Sequence, residues 1–284
     1  MRSNGYSEIR QRKAPDSQNE KPECNPGRGP GRLTVVSLGP GSSLYLVPRA
    51  KRALERAEVV VGYKTYLELI EPGLLAGKKI ISSGMRQEIA RCRAAVEETL
   101  GGRETAVVSS GDAGIYGMAG LILEILAEEG FLGSVEMEVV PGVPAFSAAS
   151  ALLGAPLMHD FAVISLSDLM TPWEMIEARV EAAAKADFVL VLYNPRSKRR
   201  DWQLGCVKEM ILKYRGKDTP VGIVRNAARE GEWVQITSLS ELDETVVDML
   251  TMVIIGNSGT RVLGGKMVTP RGYHTKYPTR KEHP

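Results

Sequence analysis

The chain has 284 residues, 43% apolar and 25% charged, which is ordinary globular material and enough for one large domain or two modest ones. Its formal charge of +2 is misleading. Met1 to Arg32 carry seven Lys and Arg against four Asp and Glu, leaving 29 against 30 in Leu33 to Pro284, so the body lacks the basic excess of a nucleic-acid-binding surface.

The N-terminal stretch, rich in Pro, Gly, Ser, Asn and charge, is expected to be a tail without fixed structure, as residues 1–31, with a second short tail at 276–284. Neither a secretory leader nor a run of about 18 apolar residues is present, so the expectation is a cytoplasmic protein with no membrane and no nucleic-acid partner. Cys24, Cys92 and Cys206 are odd in number and far apart, as are His159, His274 and His283; no disulfide framework and no protein-bound metal is expected.

In chain order, Leu33 to Leu38 reads as a strand running into Gly39-Pro40-Gly41. Short strands at Val59 to Val61 and Lys79 to Ile81 precede a surface helix over Arg86 to Leu100. The strand Glu104 to Val108 runs into Ser109-Ser110-Gly111-Asp112-Ala113-Gly114-Ile115-Tyr116-Gly117, with a helix expected over Ile115 to Glu128. Val135 to Val140 then meets Pro141-Gly142-Val143-Pro144, followed by a small-residue helix over Ala145 to Leu153. Three glycine-bearing strand-to-helix turns in one α/β half look like the mouth of a nucleoside-type pocket at the carboxyl ends of the strands.

After Pro156 the pattern restarts, with strands at Phe161 to Leu166, Phe188 to Leu192, Val221 to Val224, Trp233 to Thr237 and Met252 to Ile255. Helices are expected at Pro172 to Ala184 and Trp202 to Tyr214. Thr171 is placed to cap the first of them, with Glu174 completing a capping box. The expected organisation is two consecutive α/β domains, residues 32–157 and 158–275, joined near Pro156 to His159 with the active-site cleft between them.

Gly39-Pro40-Gly41, Ser110-Gly111-Asp112 with its Gly-Ile-Tyr-Gly continuation, and Pro141-Gly142-Val143-Pro144-Ala145 occur in the order that resembles the tetrapyrrole methylases. The segments Val61-Gly62-Tyr63-Lys64-Thr65-Tyr66, Ile164 to Asp168, Leu192 to Ser197 and Ile255 to Ser258 resemble the branch that methylates carbon 17 of precorrin-3B or cobalt-precorrin-3. The resemblance covers Leu33 to Tyr273. It implies the tetrapyrrole methylase fold, a homodimer, S-adenosylmethionine as cofactor with S-adenosylhomocysteine as product, and a precorrin or cobalt-precorrin substrate.

Carried over position by position, the resemblance places Pro40, Gly111, Asp112, Ile115, Pro144, Ala145, Asn194 and Ala227 at cofactor contacts. Asp112, Ser110 and His159 are candidates for proton transfer by location. Lys64, Arg86, Arg196, Lys198, Arg199, Arg200 and Arg225 are candidates for holding the substrate's carboxylates, because cations suit acetate and propionate groups. Each has a plainer reading: Asp112 as a cap, His159 as a packed histidine, the basic run as a solvated face. One departure stands out: Ser42 and Ser43 follow Gly41 where the family commonly has Asp-Pro, so an acidic contact is missing from the first loop.

Two readings from other classes are weaker. The first loop lacks both the Lys-Ser/Thr ending of a P-loop and the G-x-G-x-x-G spacing of a dinucleotide site. A non-catalytic corrinoid or S-adenosylmethionine sensor would share the binding residues without turnover. Within the family, sirohaem-pathway, diphthamide and ribosomal-RNA methylases are the nearer alternatives, and the Gly62-Tyr63-Lys64-Thr65 and Tyr193-Asn194-Pro195-Arg196 segments fit them poorly.

Overall fold

A computed structural model describes residues 29–273. The expected tails fall mainly outside them, together with Cys24, His274 and His283.

The first half begins with β1 (Arg32–Ser37), whose apolar run is buried on both faces, as in a central parallel strand. There follow α1 (Pro48–Arg56), β2 (Val59–Tyr63), the short helices α2 (Lys64–Leu67) and α3 (Pro72–Leu75), and β3 (Lys79–Ser83). Then come α4 (Glu88–Leu100), β4 (Thr105–Ser109), α5 (Ala119–Glu128) and β5 (Glu136–Val140). The five strands form one parallel sheet in the order β3-β2-β4-β1-β5. Leu33 and Val35 point towards α4 and α5, while Val36 and Leu38 point towards α1, so helices cover both faces. The strands β4, β1 and β5, which carry the three glycine turns, are neighbours in the sheet.

Two helix starts differ from expectation by more than one residue. Residues 115–118 form a turn rather than the first turn of a helix, because Tyr116 is left-handed at φ 52° and a side chain at Gly117 would stand 2.5 Å from the Ala113 carbonyl oxygen. Arg86 is also left-handed, at φ 65°, which delays α4 to Glu88.

The third turn leads into α6 (Ala145–Leu153) and a two-residue strand β6 (Gly154–Ala155). The second half comprises β7 (Phe161–Ser165), α7 (Trp173–Lys185), β8 (Val189–Tyr193), α8 (Gln203–Ile211), β9 (Pro220–Arg225), β10 (Trp233–Ser238) and β11 (Thr251–Ile255). Its sheet is mixed, in the order β10-β9-β11-β8-β7, with only β7 and β8 parallel. A hairpin of β12 (Arg261–Leu263) and β13 (Lys266–Val268) pairs with β6.

Helices α7 and α8 cover one face of this second sheet through Ile176, Val180, Leu204 and Val207. The other face is covered by α6: Ala149 and Leu153 pack with Val189, Val191, Val224 and Ile254. Thus α6 precedes the expected junction at 156–159, yet its body belongs to the core of the second sheet. Gly222 on β9 makes this contact close, since a side chain there would meet Leu153 Cδ1 at 2.3 Å.

The expected cap on α7 is not formed. Pro172 takes the N-cap position in an extended conformation and no side chain bonds the first turn, so Thr171 stands one residue too early to reach it. Glu174 does lie in the first turn, where its charge suits the helix dipole.

Candidate active site

The three glycine turns are pinned to one another. Gly39 and Gly111 exchange two backbone hydrogen bonds, Gly39 N–H to Gly111 O at 3.1 Å and Gly111 N–H to Gly39 O at 2.7 Å. Asp112 ties the second turn to the third: Oδ1 accepts from Gly114 N–H at 2.8 Å and Oδ2 from Gly142 N–H at 3.0 Å. The Ser37 hydroxyl accepts from Ala113 N–H at 2.8 Å. All three turns meet at Gly142, where a side chain would stand 2.6 Å from Ser37 Cβ, 2.7 Å from Gly111 O and 3.4 Å from Gly39 N.

Above these turns lies a cavity of about 200 Å³, walled on the other side by the second sheet. Of the expected cofactor residues, Pro40, Gly111, Asp112, Ile115, Ala145, Asn194 and Ala227 line it, while Pro144 is the N-cap of α6 directly behind Gly111. Ser110 also lines it. A larger groove of about 730 Å³ runs along β10 and the β12–β13 hairpin, but none of the turn residues faces it; the smaller cavity is the one the glycine turns build.

The second half contributes residues that sequence reasoning missed: Tyr193, Asn226, Arg229, Met249 and Thr251, facing Tyr66 and Tyr116 from the first half. Tyr116 donates from its hydroxyl to Val163 O at 3.1 Å, and its ring lies 5.2 Å from that of Tyr193. Burial pushes the Tyr193 phenol up to about 12, with the nearby Phe146 and Ala145 backbone N–H groups pulling the other way. Burial also raises Tyr66, opposed by the Arg229 and Arg91 charges. Both phenols are therefore neutral donors at pH 7. A signal for Asn226 and Arg229 exists beside the expected Ala227: Asn226-Ala227-Ala228-Arg229 follows a strand end, as the glycine turns do, but without a glycine.

The remaining predicted residues are dispersed. His159 is exposed, does not line the cavity, and accepts from the Asp160 backbone through Nδ1 at 2.8 Å. Arg200 is buried and donates to Asn194 O at 2.8 Å, so it supports the backbone of a cavity residue whose φ is 50°. Arg196 donates to Glu244 O at 2.7 Å, and Arg225 pairs with Asp248 at 2.9 Å. Lys64, Arg86, Lys198 and Arg199 are exposed. Among the described residues, no group of three or more His, Cys, Asp or Glu is placed to hold a metal ion, and no helix is long and apolar enough to cross a membrane.

A parallel sheet with three interlocked glycine turns at its carboxyl edge, facing a mixed second sheet, defines the class. The chain matches the Tetrapyrrole (Corrin/Porphyrin) Methylases over residues 32–243 and belongs to that family of methyltransferases. It is 49% identical over 249 residues to the "Cobalt-factor III methyltransferase" of Priestia megaterium, covering 87% of this chain and 46% of that protein. It is 48% identical over 241 residues to the "Probable cobalt-factor III C(17)-methyltransferase" of Salmonella typhimurium, covering 85% and 99%. The chain thus spans a little under half of the first relative and nearly all of the second. A crystal structure of the methyltransferase CobJ is similar with a TM-score of 0.81 at 35% identity, covering 84% of this chain and all of that one.

Proposed function

We propose that this chain is an S-adenosylmethionine-dependent C-methyltransferase of corrin biosynthesis that methylates carbon 17 of cobalt-precorrin-3 or precorrin-3B, with contraction of the macrocycle to the precorrin-4 level. The observation that carries the reading is the interlocked trio of turns beneath a cavity closed by the second sheet, in a chain aligned with 99% of a relative named for C(17) methylation. The names of both relatives favour the cobalt-containing substrate. As an alternative, the same architecture serves other tetrapyrrole methylases of the corrin or sirohaem routes. The family resemblance further implies a cytoplasmic homodimer.

The cavity suits the cofactor's chemistry. Ile115, Ala145, Ala227 and Met252 give apolar walls for a base, while Gly111 and Asn194 bring backbone and amide groups for hydrogen bonds. We assign Pro40, Gly111, Asp112, Ile115, Pro144, Ala145, Asn194 and Ala227 to holding it. When bound, S-adenosylmethionine supplies an electrophilic methyl group on a sulfonium.

The chain's own contribution is alignment and exclusion of water. Rigid turns hold donor and acceptor at reacting distance, which can be worth an effective molarity of ~10⁵ M or more. Asp112 keeps both oxygens on backbone N–H groups, so its carboxylate acts first as a brace for the floor. Ser110 accepts a charged hydrogen bond, which leaves its hydroxyl proton free to point into the cavity. Tyr193 and Tyr116 add aromatic walls to the cavity, and a substrate carboxylate is suited to the proton movement that ring contraction requires.

The deciding experiment incubates the protein anaerobically with methyl-labelled S-adenosylmethionine and, separately, cobalt-precorrin-3, precorrin-3B and uroporphyrinogen III. Label entering a contracted ring from the cobalt substrate is expected. Label entering only uroporphyrinogen III would favour the sirohaem-type alternative, and no transfer with intact S-adenosylhomocysteine binding would favour a sensor.

A further inference from the structure

Arg229 crosses the cleft. It sits on the loop after β9, in which Asn226 and Ala228 are both left-handed, at φ 52° and 58°. Such non-glycine conformations persist where the surroundings over-determine them. Here Ala228 N–H donates to Glu232 Oε2 at 2.8 Å, and Arg229 N–H to Asn226 O at 2.8 Å. The effect is to aim one guanidinium at the first half: Nε donates to Pro40 O at 2.6 Å and Nη2 to Ser110 Oγ at 2.7 Å. One planar fork therefore touches the first and the second glycine turn together. Among the described residues, no carboxylate forms a salt bridge with Arg229, and Tyr66 lies close enough to interact with its charge.

Gly41 completes the arrangement. A side chain there would stand 2.3 Å from Arg229 Cγ, 2.8 Å from Nε and 3.0 Å from Cδ, and these are its three nearest atoms. The absence of a side chain at 41 is thus the recess through which the arginine stem passes.

We propose that Arg229 is a positioning residue that fixes the spacing of the first two glycine turns from across the cleft and so sets the width of the cofactor cavity, with Gly41 as the recess for its stem. The inference rests on that cavity being the S-adenosylmethionine site. Lysine is no equivalent, since a single ammonium lacks the fork that reaches two acceptors at once.

The test is a double-mutant cycle read by calorimetric affinity for S-adenosylhomocysteine, well below each variant's thermal midpoint. Arg229→Ala should weaken binding about tenfold, the equivalent of one charged hydrogen bond. Gly41→Ala should weaken it similarly in the wild-type background, yet within about twofold not at all in the Arg229→Ala background, because the stem it obstructs is gone. Arg229→Lys should recover part of the loss and remain sensitive to Gly41→Ala.

A merely structural role would lower the midpoint, leave the affinity of the folded protein intact and keep the two changes additive. Equal penalties for Gly41→Ala in both backgrounds, or wild-type affinity in folded Arg229→Ala, would overturn the proposal. If Arg229→Ala does not fold, wild-type affinity in Arg229→Lys overturns it and weakened affinity supports it. Wild-type protein that fails to bind S-adenosylhomocysteine refutes the cofactor reading instead.

Discussion

At Gly111 a single backbone angle decides the floor of the site. Its φ of 65° lies in the left-handed region, and the bridge to Gly39 holds it there through two hydrogen bonds. A β-branched side chain opposes that conformation, at a cost of ~1–3 kcal/mol, and its Cβ would stand 3.5 Å from the N of Ala145, another residue of the cavity wall. Gly111→Val is therefore expected to lower the thermal midpoint and to abolish S-adenosylhomocysteine binding in a calorimetric titration; unchanged affinity would mean that this turn is not the cofactor floor. Gly111 and Asp112 are legible in the sequence because the strand end and tight turn they occupy are local, although the hydrogen bonds they make to Gly39 and Gly142 are not. Arg229 is not, because its partner Pro40 stands 189 residues away and no spacing rule connects them.

Two elements separate sequence signal from structural consequence. The run Thr171-Pro172-Trp173-Glu174 reads as a capping box, yet α7 starts at Trp173 without a side-chain cap. Pro172 supplies the extended turn into the helix by its own fixed φ, leaving Thr171 outside. Thr171→Ala should thus shift stability by less than ~0.5 kcal/mol in urea unfolding, where a working cap would cost ~1 kcal/mol. Gly222→Ala should behave oppositely. Its added methyl would press on Leu153 of α6, a fully buried side chain, and overpacking of this kind costs ~1–3 kcal/mol. A loss below ~0.5 kcal/mol there would show that α6 can withdraw from β9 without penalty. α1 carries a legible start and face as well: Pro48 at the first position, then Ala50, Ala53 and Leu54 on one buried face among charges.

Across the whole molecule, the cleft is held by contacts from both directions. Tyr116 reaches from the first half to Val163, Arg229 from the second half to Pro40 and Ser110, and α6 runs from the third turn into the second sheet's core. A ligand that bridges the two walls adds its binding energy to the folded state alone. S-adenosylhomocysteine at a hundredfold excess over Kd should stabilise by ~2.7 kcal/mol and raise the thermal midpoint, whereas NAD, ATP and GTP should not. A shift with a nucleoside triphosphate and none with S-adenosylhomocysteine would overturn the methylase reading of the cavity.

By itself the sequence determined what depends on neighbours along the chain. The alternation of apolar strands with amphipathic helices sets two α/β halves, and glycine and proline at strand ends mark three turns, since glycine tolerates a positive φ and close backbone approach while proline fixes its own φ. The order of those turns and the segments around Tyr63 and Asn194 carried the family. Tertiary structure decided the rest. It placed β4, β1 and β5 side by side so that three separate turns form one floor. It took α6 from the first half and gave its apolar face to the second sheet. It also turned the densest basic run inward at Arg200, to hold the Asn194 carbonyl, while bringing Arg229 to the cleft. The physical reason is the same in each case: these contacts join residues far apart in the chain, and burial and hydrogen-bond geometry, rather than local pattern, select among the partners that folding brings within reach.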